Sequence, residues 1–200
     1  MPHLGGLCHV DFPLWCVFFS PVYGGPVTLF FVTMAVAAAA AAAAVSVVFV
    51  TGNANKLREV QSMLLSCPHV RLEHAHEDIV EIQGTPDEIA SAKCVAARSL
   101  LLKKYGHSNF VVMVEDTALG FEALGGMPGP YIKGFAGVPT DKLYSMIREE
   151  DTHAGLATCT IAILDCRGLS QDDDAVVKPA LFKVQARVGR LRFGCLHAFL

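Results

Sequence analysis

A chain of 200 residues, of which 52% are hydrophobic, has room for one sizeable domain with extensions. A formal charge of −3 and the absence of a Lys/Arg cluster argue against a surface that coats nucleic acid. Seven scattered cysteines without a C-x-x-C pair argue against a disulfide framework or zinc site, and fit free thiols in a reducing compartment, the cytoplasm.

Composition divides the chain near residue 45. No charged side chain stands between Asp11 and Lys56, and residues 1–44 read as an apolar, alanine-rich extension. Its stretch Val27 to Val45 holds 19 apolar or nearly apolar residues, about enough to cross a bilayer at ~1.5 Å per residue. Alanine contributes little transfer energy, however, and neither flanking positive charges nor a basic leader region accompanies it. A membrane partner is therefore not expected, although a span over 27–45 stays open. So does a start at Met34, with an inert leader "MAVAAAAAAAAVS".

The folded part is expected over residues 45–200. "VSVVFV" is short, β-branched and stopped by Gly52, so it reads as a buried strand. Leu57, Val60, Met63 and Leu64 then fall at helical spacing across Asn55 to Leu65. "HVRLEHA", His69 to Ala75, alternates as a half-buried strand does. Thr85-Pro86-Asp87-Glu88 has capping-box spacing with proline at the first helical position, which predicts a long helix from Pro86 to Gly106. "FVVMV", Phe110 to Val114, is an apolar strand that should end at Glu115-Asp116-Thr117. A Gly/Pro-rich loop from Leu124 to Phe135 and a short helix capped by Thr140 follow. Two strands, "GLATCTIAILD" and "ALFKVQARVG", are joined by an acidic loop at Asp172 to Asp174. The order β-α-β-α-β-α-β-β gives an α/β class with a mixed sheet flanked by helices.

Two apolar strands thus run into polar residues, Val50 into Thr51-Gly52-Asn53 and Val114 into Glu115-Asp116. In open α/β sheets, ligands sit outside the carboxyl ends of strands. Gly52 would let backbone N–H groups approach an anion, and Lys56 would lie on the first turn of the next helix. Taken alone, the turn is an ordinary strand–helix loop. Adjacent carboxylates at a buried strand end repel each other unless a cation or protons compensate, and hard oxygens suit Mg²⁺. Glu81 is a candidate third acid. Lys93 has the plain reading of a lysine that snorkels from a helix edge and Lys133 that of a surface lysine, yet gathered with the acids they would make a Mg²⁺–polyphosphate site. The eight histidines form no catalytic constellation.

The segments "VFVTGNANKLREV", "EIQGTPDEIASAKC" and "VMVEDTALGFEALGGMPGPYIK" together resemble the inosine triphosphate pyrophosphatase family, the Ham1-like pyrophosphatases of non-standard purine nucleoside triphosphates. The resemblance runs from about residue 46 to about residue 165. It implies a twisted mixed sheet in two lobes around a central cleft, a homodimer, and Mg²⁺ dependence with Mn²⁺ as an alternative ion. The implied reaction converts inosine, deoxyinosine or xanthosine triphosphate to the monophosphate and pyrophosphate, which cleanses the nucleotide pool. By motif match, Thr51, Gly52, Asn53, Ala54, Asn55 and Lys56 would hold triphosphate, joined by Lys93, Glu115 and Lys133. Glu81 and Asp116 would hold the metal, and Asp116 would orient or deprotonate the attacking water.

After about residue 165 the chain departs from the family. Its Phe-Gly-Trp-Asp-Pro and Ser-His-Arg motifs are missing; "RFGC" matches two letters, and the sole tryptophan is Trp15. The second lobe is accordingly expected to be incomplete. An impaired relative that binds nucleotide, or pairs with a full-length subunit, is the alternative reading.

Overall fold

A computed structural model describes residues 44–135, 137–147, 152, 154–169 and 177–188. The Ala-rich extension up to residue 43, the acidic loop Asp172 to Asp174 and the terminal "RFGC" segment lie outside the described residues. Among those described, no helix is long and apolar enough to cross a membrane.

The elements follow in the order β1 (Val45–Val50), α1 (Ala54–Leu64), β2 (Val70–Ala75), α2 (Pro86–Tyr105), β3 (Val111–Phe121), β4 (Pro128–Gly129), α3 (Thr140–Ser145), β5 (Gly155–Asp165) and β6 (Ala180–Val188). Short 3₁₀ turns occupy Glu122–Leu124 and Pro130–Phe135. One mixed sheet has the strand order β2-β1-β3-β5-β6, with β4 paired to β3. β1 is parallel to both β2 and β3, whereas β5 is antiparallel to β3 and β6. This α/β sheet flanked by helices is the class expected from the residue pattern.

Period-two alternation along the strands loads both faces. Val48, Val50, Val112, Val114, Ala162 and Leu164 pack with Ala90, Cys94, Ala97 and Leu101 of α2. Val47, Phe49, Val111, Met113, Cys159 and Ile161 pack with Val60 and Leu57 of α1 on the opposite face. A third cluster, Leu119, Phe121, Ile132, Leu143, Ile147 and Ala157, sits at the far end of β3 and β5. Burying one Leu or Phe in such clusters contributes roughly 1.5–3 kcal/mol.

α2 begins and ends as its sequence requires. The Thr85 side chain accepts from the Glu88 N–H, and Glu88 returns a bond from the Thr85 N–H at 2.8 Å. At the other end Gly106 takes a left-handed conformation, φ 69°, and donates to the Leu102 carbonyl. α3 starts at Thr140 itself, with the Pro139 carbonyl accepting from Lys142 and Leu143.

β3 departs most from expectation. It does not stop at Val114 but continues through Glu115, Asp116 and Thr117 to Phe121. Val114 makes the last register pair with β1, opposite Val50. Beyond it, β5 carries the strand onward to the pair Phe121 and Gly155. Gly120 makes this extension feasible: a Cβ there would fall 2.2 Å from the Gly126 carbonyl oxygen. The Leu124 to Phe135 loop is also more ordered than its Gly and Pro content suggests, since it contains β4 and a 3₁₀ turn.

Candidate active site

The opening loop is set by strand–helix chemistry. The Thr51 N–H donates to the Ala75 carbonyl at 3.1 Å, and Thr51 Oγ1 accepts from the Asn53 N–H at 3.1 Å. Asn53 is the N-cap of α1; its side chain accepts from the Asn55 N–H at 2.9 Å and the Lys56 N–H at 3.2 Å. Gly52, Asn53, Ala54 and Asn55 are exposed, and Thr51 and Lys56 are half-buried. A Cβ on Gly52 would meet His76 Nε2 at 3.0 Å, so glycine here answers crowding from the residue after β2. The loop is thus a capped turn that follows the carboxyl end of β1 with Gly52 to Asn55 exposed.

Glu115 and Asp116 are neighbours in the middle of β3, not at its end, so they project to opposite faces of the sheet. Each meets its own lysine. Lys56, on the first turn of α1, forms an ion pair with Glu115 and donates to Thr117 Oγ1 at 3.2 Å. Lys93, from the middle of α2, meets Asp116 Oδ1 at 3.4 Å and Glu81 Oε1 at 3.5 Å. Lys133, on the 3₁₀ turn after β4, reaches the same Glu81 oxygen at 2.8 Å. The repulsion expected between adjacent acids is therefore relieved by one ammonium on each face.

The two groups differ mainly in their outer members. The Glu115 side chain is 1% exposed, whereas Asp116 is 11%, Glu81 46% and Lys133 61% exposed. Burial pushes the Asp116 carboxyl above its ordinary value, helped by the Glu115 charge and opposed by Lys93. The Lys133 hydrogen bond lowers Glu81. Burial works against the Lys56 charge, but the Glu115 charge and hydrogen bond outweigh it and hold the ammonium above its ordinary value.

Asp116, Glu81, Lys93 and Lys133 are thus brought together by direct contacts. Lys56 and Glu115 form a second group across the strand; Asp116 and Lys56 still affect each other's charge. The sequence reading missed Thr117, which donates to Glu115, and Cys159, whose thiol donates to Glu115 Oε1 at 3.4 Å. Thr117 was findable two residues after Glu115 on the same strand face. Cys159 was not, because it meets Glu115 only through the β3–β5 pairing.

The acids can be tested for a divalent ion. Glu81 and Asp116 already share one cationic group, the Lys93 ammonium, so positive charge between them is favoured. Mg²⁺ binds through one or two carboxylates together with substrate phosphates, and these two acids fit that donor set. Among the described residues, no group of three or more His, Cys, Asp or Glu could hold a metal by itself. The fit is therefore to an ion that arrives with phosphate oxygens of its own.

Known proteins share both sequence and fold with the chain. An inosine triphosphate pyrophosphatase of Mycosarcoma maydis is 44% identical over 120 residues, covering 58% of this chain and 58% of that protein. One of Yarrowia lipolytica is 42% identical over 128 residues, covering 64% and 63%. The match thus spans less than two thirds of these relatives' length. Among solved structures, a HAM1 protein from Coxiella burnetii shares the fold with a TM-score of 0.54 at 18% identity, over 72% of this chain and 71% of that one. The Staphylococcus aureus Ham1 protein does so with a TM-score of 0.52 at 19% identity, over 74% and 73%. The sequence pattern of the Ham1 family matches residues 47–178, and the chain belongs to that family.

Proposed function

We propose that the chain hydrolyses nucleoside triphosphates to the monophosphate and pyrophosphate, with inosine, deoxyinosine and xanthosine triphosphates as substrates. The observation that carries this reading is the convergence of Lys93, Lys133, Glu81 and Asp116 just beyond the end of β1. The relatives named inosine triphosphate pyrophosphatase support the substrate class.

In this reading, Lys93 and Lys133 turn their charge to the triphosphate, and the turn Thr51 to Asn55 lies along it. Lys56 adds charge from the other face of β3. Glu81 and Asp116 would hold Mg²⁺, or Mn²⁺ in its place. When bound, the ion supplies Lewis-acid stabilisation of the phosphoryl oxygens and the leaving pyrophosphate. Asp116 orients the attacking water and accepts its proton. Water oxygen bonds to the α-phosphorus as the bond to the bridging oxygen breaks, and pyrophosphate leaves. The Lys93 and Lys133 ammonium groups offset the growing negative charge.

The proposed working unit is a cytoplasmic homodimer. Product analysis tests the chemistry: full-length chain given inosine triphosphate and Mg²⁺ should yield equimolar inosine monophosphate and pyrophosphate. Inosine diphosphate with orthophosphate would refute it, as would no product.

A further inference from the structure

The Lys56 ammonium is held by groups that the reaction above does not use. It forms an ion pair with Glu115 and a 3.2 Å bond to Thr117 Oγ1, and the Thr117 hydroxyl in turn donates to Glu115 Oε1. These three contacts close a ring. A fourth bond ties the ring to the neighbouring strand, from the Cys159 thiol to the same Oε1 at 3.4 Å. Besides the Lys56 ammonium, nothing meets Glu115 Oε2 among the described residues.

Strand geometry explains why these groups meet. Glu115 and Thr117 stand two residues apart, hence on the α1 face of β3, and Cys159 is the register partner of Thr117. Lys56 lies at the N-terminal turn of α1, whose Asn53 cap fixes where the side chain starts. Glu115 and Cys159 are buried, so neither is placed to touch a ligand, and a carboxylate in any case repels phosphate. The Lys56 side chain keeps 20% exposure.

An ammonium has three protons. Glu115 and Thr117 take two, which leaves one N–H for the exposed side. We infer that Glu115 and Thr117 are positioning residues that lock Lys56 as a single outward donor, and that Glu115 does not bind substrate. This rests on the pyrophosphatase reading for the identity of the phosphate that the donor meets. The ring itself does not.

Burial keeps the Cys159 thiol well above its ordinary value, so it remains a donor. Glu59, one turn after Lys56, is pushed up by burial and by the Glu115 charge.

The test labels the full chain with ¹⁵N-lysine and follows the Lys56 ammonium by NMR, assigned with Lys56→Arg. A ring-held ammonium should give a resolved N–H signal. Glu115→Gln and Thr117→Val should each abolish it, while Thr117→Ser restores it. A wild-type chain without the signal, or variants that keep it, would overturn the inference. With inosine triphosphate and Mg²⁺, Thr117→Val should raise KM about tenfold, the weight of one charge-assisted hydrogen bond, and leave kcat nearly unchanged. A fall in kcat at constant KM would also overturn it. Absence of pyrophosphate release by the wild type would defeat the proposed reaction instead, and the ammonium signal alone would then decide on the ring.

Discussion

The two lysine–carboxylate groups that straddle β3 share charge types but differ in their surroundings. On the α1 face, Glu115 is sealed from solvent and bonded by Lys56, Thr117 and Cys159. On the α2 face, Asp116 and Glu81 share Lys93 at 3.4 and 3.5 Å, and the outer members Glu81 and Lys133 are exposed. A sealed carboxylate holds its lysine because its charge would be costly alone. An open one can exchange partners with an arriving ligand. Adjacent residues of one strand thus divide into a fixed brace and an exchangeable seat, a division that follows from the alternation of a β-strand.

Substitutions on the two faces of β3 should act differently. Lys56→Met leaves a buried carboxylate unpaired and should cost about 3–5 kcal/mol of stability, read by urea denaturation. Lys93→Met should act mainly on turnover, with kcat/KM lowered roughly 10²–10³-fold, the scale for losing one stabiliser of developing charge. Its stability should shift far less than that of Lys56→Met. Equal losses of stability in the two variants would remove the distinction. Glu81→Gln should weaken the Mg²⁺ requirement curve about 10-fold or more, measured as the Mg²⁺ concentration for half-maximal pyrophosphate release. Lys133→Ala removes a solvent-screened pair and should change stability by less than about 1 kcal/mol.

Much of this arrangement was legible in the residues. The capping box at Thr85 and Glu88 and the stop at Gly106 bounded α2, since both ends are local chemistry. The strands "VSVVFV" and "GLATCTIAILD" were bounded as observed. β3 was cut short because the polar run Glu115-Asp116-Thr117 reads as the end of an apolar strand, and its pairing partner β5 lies some way along the chain. Gly120 in fact permits the strand by making room for Gly126. The meeting of Lys93, Glu81 and Asp116 was expected from the resemblance. The opposite facing of Glu115 and Asp116 follows from strand alternation, once β3 is known to pass through them. The tie from Cys159 required the register between strands, which no local pattern carries.

The most direct measurement pairs two readouts on Asp116→Asn in the full-length chain. Burial raises the Asp116 carboxyl, so its folded-state pKa lies above the unfolded one. The stability it contributes is complete below the unfolded pKa and is lost as pH rises through the folded value. The amide substitute removes that loss. Pyrophosphate release from inosine triphosphate should fall roughly 10²–10⁴-fold, while stability in urea above the folded-state pKa should match or exceed that of the wild type. Undiminished release would contradict the account, and so would an unfolded variant: Asp116 would then be a structural group rather than the acceptor of the attacking water's proton.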